Sequence, residues 1–239
     1  MNKLLNFGQQ QYRDQLLSWV EYDTEAGYQK NISESPSRKL MIANGWFDTP
    51  VEYAFNSEGF RSAEFDTAGI LVIGCNYTFG TGLPIENIYH TYIGNELQIP
   101  INNLGVINAS NGLMFRLAHH YIPKIMPCMV ILQQTHADRL EVLNQFDQSM
   151  VYDPADTNDV LGREIFANWW FSKSNGMLDK QRNFMAIKGI CHDMAVPLIT
   201  IDIEDFRNPV NGFARNLTDP GPMSHQAVAE KVLNIIKNK

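Results

Sequence analysis

Polar side chains follow three apolar runs of this chain, at the points where strands of a parallel sheet would end. Asn76 comes shortly after the run at residues 69–73, Asn108 follows a second run, and Gln133 and Gln134 follow a third. Ligand sites in parallel α/β sheets lie at the carboxyl ends of the strands. We therefore expect these amide side chains to lie along one edge of the sheet. Amides donate and accept hydrogen bonds there, but they are poor nucleophiles and have no proton chemistry near neutral pH.

The elements that would position these side chains are short apolar runs that alternate with helical patterns. The predicted strands are residues 70–73, 99–106, 129–132 and 197–203, and the predicted helices are residues 85–97, 110–121, 161–171, 182–194 and 226–236. This alternation predicts an α/β fold, a three-layer α/β/α sandwich with a parallel sheet. A further helix is expected at residues 10–22, followed by polar loops at residues 31–39. We interpret residues 1–66 as an N-terminal extension packed on an α/β domain at residues 67–239.

Three blocks of the sequence resemble the SGNH, or GDSL-type, hydrolases. The first, residues 74–82, reads Gly-Cys-Asn-Tyr-Thr-Phe-Gly-Thr-Gly, where the family has Gly-Asp-Ser and then an aromatic residue before Thr-Phe-Gly-x-Gly. The second, residues 103–110, reads Asn-Leu-Gly-Val-Ile-Asn-Ala-Ser, where the family has Asn-Leu-Gly-x-x-Gly-x-Ser. The last, residues 214–225, is similar to the Ala-Arg-Asp-x-x-His-Pro-Gly-Pro ending of SGNH-like proteins encoded by bacteriophages. The resemblance covers roughly residues 69–239 and implies a flavodoxin-like sheet.

The resemblance also locates the family's catalytic triad, and all three triad positions hold other residues here. The nucleophilic Ser falls at Asn76, the Asp at Asn216 and the His at Asp219. A hydroxyl nucleophile needs a neighbouring base, and that base needs an orienting acceptor. Asn76 has no hydroxyl, and Asn216 lacks the negative charge that would stabilise an imidazolium. The resemblance therefore implies a degenerate site with no catalytic residues.

The oxyanion-binding positions of the family are altered as well. The Gly that donates a backbone N–H to the oxyanion is replaced by Asn108, and the third-block Gly-x-Asn is missing after residue 132. Gln133 or Gln134 could present an amide in its place. The polar groups at Asn76, Asn108 and the other triad positions could bind sugar hydroxyls, but water or one another could equally satisfy them.

Several other side chains could take part in chemistry, and each of them also has an ordinary structural explanation. Cys75 would need a lowered thiol pKa to act as a nucleophile, and a structural role is expected. His136 and Asp138 could support acid–base chemistry or form an ordinary polar loop. The histidines at residues 119–120 lack an identifiable third metal ligand. The aromatic cluster at residues 169–171 could stack on carbohydrate, although core or interface packing is the commoner role.

Composition excludes several classes of partner. The net charge of −7 argues against sequence-independent nucleic-acid binding, and the longest apolar runs fall short of a membrane span. The N-terminal residues lack the apolar region of a signal peptide, which indicates cytoplasmic synthesis. Cys75, Cys128 and Cys191 are odd in number and lack metal-type spacing. Cys128 and Cys191 lie in or near apolar runs, so we expect these two to be buried free thiols. No cofactor and no metal are predicted.

Together these features predict a catalytically inactive SGNH-like protein, a pseudoenzyme that serves as a structural or binding component. The phage-like form of residues 214–225 suggests a virion protein, such as a capsid, neck or tail decoration, with other virion or assembly proteins as partners. Two alternatives stay open. One is an esterase or carbohydrate deacetylase with a rearranged active site. The other is a pseudoenzyme that binds carbohydrate through Asn76, Asn108, Asn216 and Asp219.

Overall fold

The structure is a computed structural model that describes residues 9–143, 149–152, 173–207 and 212–238. The predicted helix at residues 161–171 and the aromatic cluster at residues 169–171 lie outside the described residues. The strands are β1 (Leu16–Leu17), β2 (Tyr53–Ala54), β3 (Ile70–Gly74), β4 (Ile101–Gly105), β5 (Met129–Gln134), β6 (Leu140–Leu143), β7 (Ser149–Tyr152) and β8 (Leu198–Asp202). The helices are α1 (Glu25–Ser33), α2 (Ser37–Ala43), α3 (Asn76–Phe79), α4 (Tyr89–Leu97), α5 (Asn111–Ile125), α6 (Lys173–Asp193) and α7 (Pro222–Lys237).

A four-stranded parallel sheet forms the centre of the fold, with its strands in the order β4-β3-β5-β8. Successive side chains of a strand point to opposite faces, and β3 is buried on both. Leu71 and Ile73 pack with α5 and α6, whereas Ile70 and Val72 pack with α4 and α7. The predicted three-layer α/β/α architecture is therefore confirmed.

Apart from the helix at residues 161–171, the predicted strands and helices of this domain are found with shifted ends. The strand expected at residues 99–106 begins only after Pro100, whose carbonyl accepts the N–H of Ile70. The helix expected at residues 85–97 is divided into a 3-10 turn, Ile85–Asn87, and α4. The final helix begins earlier than expected because Pro222 occupies its first turn, where proline is well tolerated.

Predictions for the first 66 residues were less accurate. The prediction of a helix at residues 10–22 is wrong. This stretch contains a 3-10 turn, Gln9–Tyr12, and the strand β1, which pairs with β2. The polar loops expected at residues 31–39 are largely the end of α1 and the start of α2. These helices bury almost no side chains, so they lack the apolar stripe by which a helix is recognised. Farther along the chain, the antiparallel pairing of β6 with β7 was not predicted either.

The N-terminal residues pack on the sheet domain through an apolar cluster. Val20, Val51, Tyr53 and Phe55 surround Phe79, which lies at the end of α3. Elsewhere, Cys75 and Cys191 are buried free thiols, but Cys128 is exposed, so its predicted burial is wrong. Among the helices in the described part of the chain, none is long and apolar enough to cross a membrane.

Candidate functional site

The turn that follows β3 depends on two glycines. A Cβ on Gly74 would lie 2.0 Å from Oγ1 of Thr78, so only glycine allows the chain to fold back so closely. Gly80 has a φ of 80° and ends α3 in the left-handed conformation that glycine adopts without strain. The turn therefore places Asn76, the first residue of α3, at the carboxyl edge of the sheet.

Asn76 and Asn108 are hydrogen-bonded to each other. Asn76 is only 7% exposed, and its Oδ1 accepts the backbone N–H of Asn108 at 2.6 Å. Asn108 has a φ of 59°, a left-handed conformation that asparagine tolerates better than most residues. Its Nδ2 lies 3.2 Å from the hydroxyl of Tyr22. The side chain in the nucleophile position thus occupies the backbone donor that the family resemblance assigns to the oxyanion.

The residues that the family resemblance places in the other two triad positions, Asn216 and Asp219, are also hydrogen-bonded to each other. Nδ2 of Asn216 donates to Oδ2 of Asp219 at 2.7 Å. Oδ1 of Asn216 accepts the N–H groups of Thr218 and Asp219, which closes a tight loop. Burial raises the pKa of the Asp219 carboxyl to about 6, although the hydrogen bond from Asn216 and the charge of Arg139 oppose this shift.

The loop that carries Asn216 and Asp219 is seated on the turn after α3. The N–H of Arg215 donates to the carbonyl of Gly82 at 3.0 Å. Gly82 has a φ of 73°, and a Cβ there would lie 3.0 Å from the backbone nitrogen of Arg215. This close backbone approach brings the first and last sequence blocks together, as the family resemblance implies.

Gln133 and Gln134 have different positions from the four residues above. Gln133 is fully buried beneath the turn, where its Oε1 accepts the backbone N–H of Cys75 at 3.0 Å and the hydroxyl of Thr78 at 3.1 Å. Gln134 is half-buried at the end of β5 and lines a surface groove beside α6. Gln133 therefore stabilises the turn through buried hydrogen bonds. Gln134 instead lies in the groove beside α6.

The remaining candidates have structural contacts. The thiol of Cys75 is fully buried and donates to Gln133. Nε2 of His136 lies 3.3 Å from Nη2 of Arg207. His225 is buried, its pKa is lowered to about 3 by burial, and its Nδ1 accepts the N–H of Tyr89 at the start of α4. Within the described ranges, no group of three or more His, Cys, Asp or Glu side chains is placed to hold a metal ion.

A buried ionic cluster that the sequence did not reveal holds the site together. Arg215 lies 2.6 Å from the carboxylate of Asp23, which also accepts the hydroxyl of Tyr53. The Tyr53 hydroxyl in turn accepts the N–H of Gly82 at 2.9 Å. The cluster thus ties the N-terminal segment to both loops of the site. The only sequence signal was the Arg of the Ala-Arg pair in the last block.

Arg61 adds a second guanidinium to this region. It is fully buried and donates to the carbonyls of Gly80 at 2.7 Å and Leu83 at 2.8 Å. Its guanidinium lies 4.3 Å from the ring centre of Tyr53, and burial lowers its pKa to about 10. Arg61 therefore fixes the carbonyl groups that follow α3.

Solved structures similar to this chain include a GDSL-like lipase and two esterases. A GDSL-like lipase from Bacteroides thetaiotaomicron is 10% identical with a TM-score of 0.36, and the match covers 72% of this chain and 88% of the lipase. A psychrotrophic esterase from Pseudoalteromonas is 12% identical with a TM-score of 0.40, covering 72% and 97%. An acetyl xylan esterase from Butyrivibrio proteoclasticus is 14% identical with a TM-score of 0.43, covering 74% and 65%.

The similarity to these three structures is weak. The three TM-scores lie below 0.5 and the identities below 25%, which is too low to transfer an activity, a substrate or a partner. No protein-family model and no curated protein matches the chain.

Proposed function

We propose that this chain is a catalytically inactive protein with an SGNH-type fold that acts as a structural or binding component. The hydrogen bond from the N–H of Asn108 to Oδ1 of Asn76, at 2.6 Å, is the observation that carries this proposal. Acyl transfer requires a free donor at the position where the oxyanion develops. In this chain the side chain in the nucleophile position occupies that donor, and the remaining two triad positions satisfy each other.

The chemistry of the three triad positions supports the same conclusion. Asp219 is the one titratable group among them, and its raised pKa of about 6 would suit a general base. A base accelerates acyl transfer only where a hydroxyl, a thiol or a water can reach the substrate. Asn76 has none of these atoms, and the neighbouring Cys75 thiol is buried against Gln133.

The raised pKa of Asp219 is also the observation that favours the second candidate function, an esterase or carbohydrate deacetylase with a rearranged site. A buried carboxyl that titrates near pH 6 could activate a water molecule directly. That reaction would need no serine, but it would need an open donor for the oxyanion.

A hydrolysis assay separates the two candidates. The purified chain is incubated with p-nitrophenyl acetate and with an acetylated xylo-oligosaccharide, beside its Asp219→Asn and Cys75→Ala variants. We expect release of acetate at the buffer rate in all three proteins. Turnover that disappears in Asp219→Asn would establish the water-activating esterase, and turnover that disappears in Cys75→Ala would make the thiol the nucleophile.

The phage-like form of residues 214–225 extends the proposal to a place in the virion, with other virion or assembly proteins as partners. Mass spectrometry of purified particles tests this extension separately from the question of activity. We expect peptides of this chain at a fixed ratio to the major capsid protein after extensive washing. Their loss on washing, while capsid peptides stay, would make the chain a non-virion protein.

A further inference from the structure

Strand β8 is an edge of the parallel sheet, with β5 as its one neighbouring strand within the described residues. The N–H of Val130 in β5 donates to the carbonyl of Pro197 at 2.8 Å, so in this register Ile199 also turns its backbone groups toward β5. The N–H and C=O groups of Leu198 and Thr200 therefore point away from the sheet. In the part of the chain that the structure describes, these outward groups have no hydrogen-bond partner.

This edge lacks the usual protection against pairing with another strand. Edge strands of monomeric proteins commonly carry a charged side chain, a proline or a bulge in their middle. The strand β8 reads Leu-Ile-Thr-Ile-Asp, and Asp202 at its end is paired with Lys180 of α6 at 2.7 Å. Thr200, at the centre of the strand, is exposed. An exposed and uncharged edge of this kind is a template for another strand.

A surface groove of about 590 Å³ adjoins the same edge on the face of the sheet that carries α6. It is lined by Gln134, at the end of β5, and by Met177 and Phe184 of α6. Met177 is 58% exposed, which is unusual for a large apolar side chain on a helix that packs on a sheet. Lys180 also lines the groove and contacts Asp202, so the groove and the edge of β8 are continuous. A strand added to β8 would therefore bring apolar surface to this groove.

A second copy of β8 is complementary to this edge. When two copies pair antiparallel about a two-fold axis at Thr200, each Thr200 exchanges backbone hydrogen bonds with the Thr200 of the other copy, and cross-strand threonine pairs are favourable. Each Asp202 then lies opposite Leu198 of the other copy, so that no like charges meet across the strands. The same axis places the two α6 helices side by side on one face of the joined sheet, where each covers the exposed Met177 of the other.

We propose that two copies of this chain dimerise through β8, which joins their parallel sheets into one continuous sheet. The interface is isologous, because both copies contribute the same strand and the same face of α6. The dimer goes beyond the proposed function, which leaves the number of copies open. It does not depend on whether the chain hydrolyses esters, since Thr200 and Met177 lie outside the triad positions, so a positive hydrolysis assay would leave it intact.

Sedimentation velocity of the full chain between about 1 and 100 µM tests the dimer, because small interfaces dissociate in this range. We expect the wild type to change from monomer to dimer as its concentration rises. Thr200→Lys should raise the dissociation constant at least about tenfold, since it places two ammonium groups opposite each other at the axis. Thr200→Val keeps a β-branched, uncharged side chain and should stay within about threefold of the wild type. A wild type that is still monomeric at the highest concentration overturns the proposal.

A second pair of variants guards against a misfolded Thr200→Lys protein. Met177→Glu should weaken the dimer about tenfold, whereas Leu16→Glu should leave it unchanged, since Leu16 is 64% exposed but lies on β1. Hydrogen exchange followed by mass spectrometry should also be slower for the Thr200 amide at about 100 µM than at about 1 µM. A dimer that forms equally well in Met177→Glu, or a Thr200 amide that exchanges at the same rate at both concentrations, would place the contact elsewhere and overturn the proposal.

Discussion

Oδ1 of Asn76 lies 2.6 Å from the backbone nitrogen of Asn108, so the side chain that the family resemblance places in the nucleophile position accepts the N–H that the same resemblance assigns to the oxyanion. The same contact holds two loops of the sheet edge together, because Asn76 begins α3 and Asn108 follows β4. One hydrogen bond thus has both a structural and a functional consequence, and the two can be measured separately.

Replacing Asn76 by alanine should expose this relationship directly. We expect Asn76→Ala to lower the free energy of unfolding by about 1 kcal/mol, the usual net value of one intramolecular hydrogen bond. The amide proton of Asn108 should exchange with solvent faster in the variant, as NMR hydrogen exchange would record. Asn95→Ala, a substitution on the exposed side of α4, serves as the control. An Asn108 amide that exchanges equally fast in wild type and Asn76→Ala would contradict the contact.

Asp219 should make the stability of the fold depend on pH. Its pKa is raised from an ordinary 3.8 to about 6 because burial disfavours the charged form. Well below pH 4 the carboxyl is protonated in both folded and unfolded chains, so it imposes no penalty. Between pH 4 and 6 the unfolded chain releases its proton first, so stability falls as pH rises, and above pH 6 the full penalty is present.

The Asp219→Asn variant should remove this dependence. We expect it to be more stable than the wild type by about 1–3 kcal/mol at pH 7.5, and close to the wild type at pH 4. Denaturant unfolding at both pH values measures the difference, with Asp193→Asn, at an exposed position, as the control. A variant that is less stable than the wild type at pH 7.5 would mean that the ionised carboxylate is favourably paired.

The sheet could be predicted from the sequence, because β3 and β5 bury both faces and so appear as continuous apolar runs. The first two helices could not be predicted, since their exposed surfaces leave no apolar period. The meeting of the first and last sequence blocks followed from the family resemblance. The ion pair of Arg215 and Asp23 could not be predicted, because the two residues are 192 positions apart and local sequence patterns do not indicate so distant a contact. Likewise, only the observed orientation of Gln133 reveals that it supports the turn.

The turn after α3 allows a test of backbone geometry with a matched control. Gly80 and Gly45 have similar φ values, 80° and 77°, so alanine strains the backbone similarly at both. A Cβ on Gly80 would lie 2.1 Å from Cδ1 of Ile88, whereas a Cβ on Gly45 would meet nothing within 4 Å. We expect Gly45→Ala to cost about 1 kcal/mol and Gly80→Ala about 1–3 kcal/mol more. Equal shifts in thermal unfolding would mean that Ile88 moves aside freely.

Restoring the three triad residues should not restore an efficient hydrolase. In the triple variant Asn76→Ser, Asn216→Asp, Asp219→His, the serine frees the N–H of Asn108, and the nucleophile, base and acid return in the family's chain order. The third-block asparagine donor is still missing, and Gln133 cannot replace it because its Nε2 donates to the carbonyl of Gln134 at 2.9 Å while its Oε1 is bonded to Cys75 and Thr78 beneath the turn. Loss of one oxyanion donor costs about a hundred- to a thousandfold in rate.

We therefore expect this triple variant to fold and to hydrolyse p-nitrophenyl acetate only weakly, with a turnover that disappears when the new serine is changed to alanine. Circular dichroism checks that the variant is folded before activity is measured. Robust turnover would mean that the N–H of Asn108 suffices as the oxyanion donor once Asn76 no longer occupies it. A variant that unfolds would instead show that the hydrogen bonds of Asn76 with Asn108 and of Asn216 with Asp219 are needed to hold the sheet edge together.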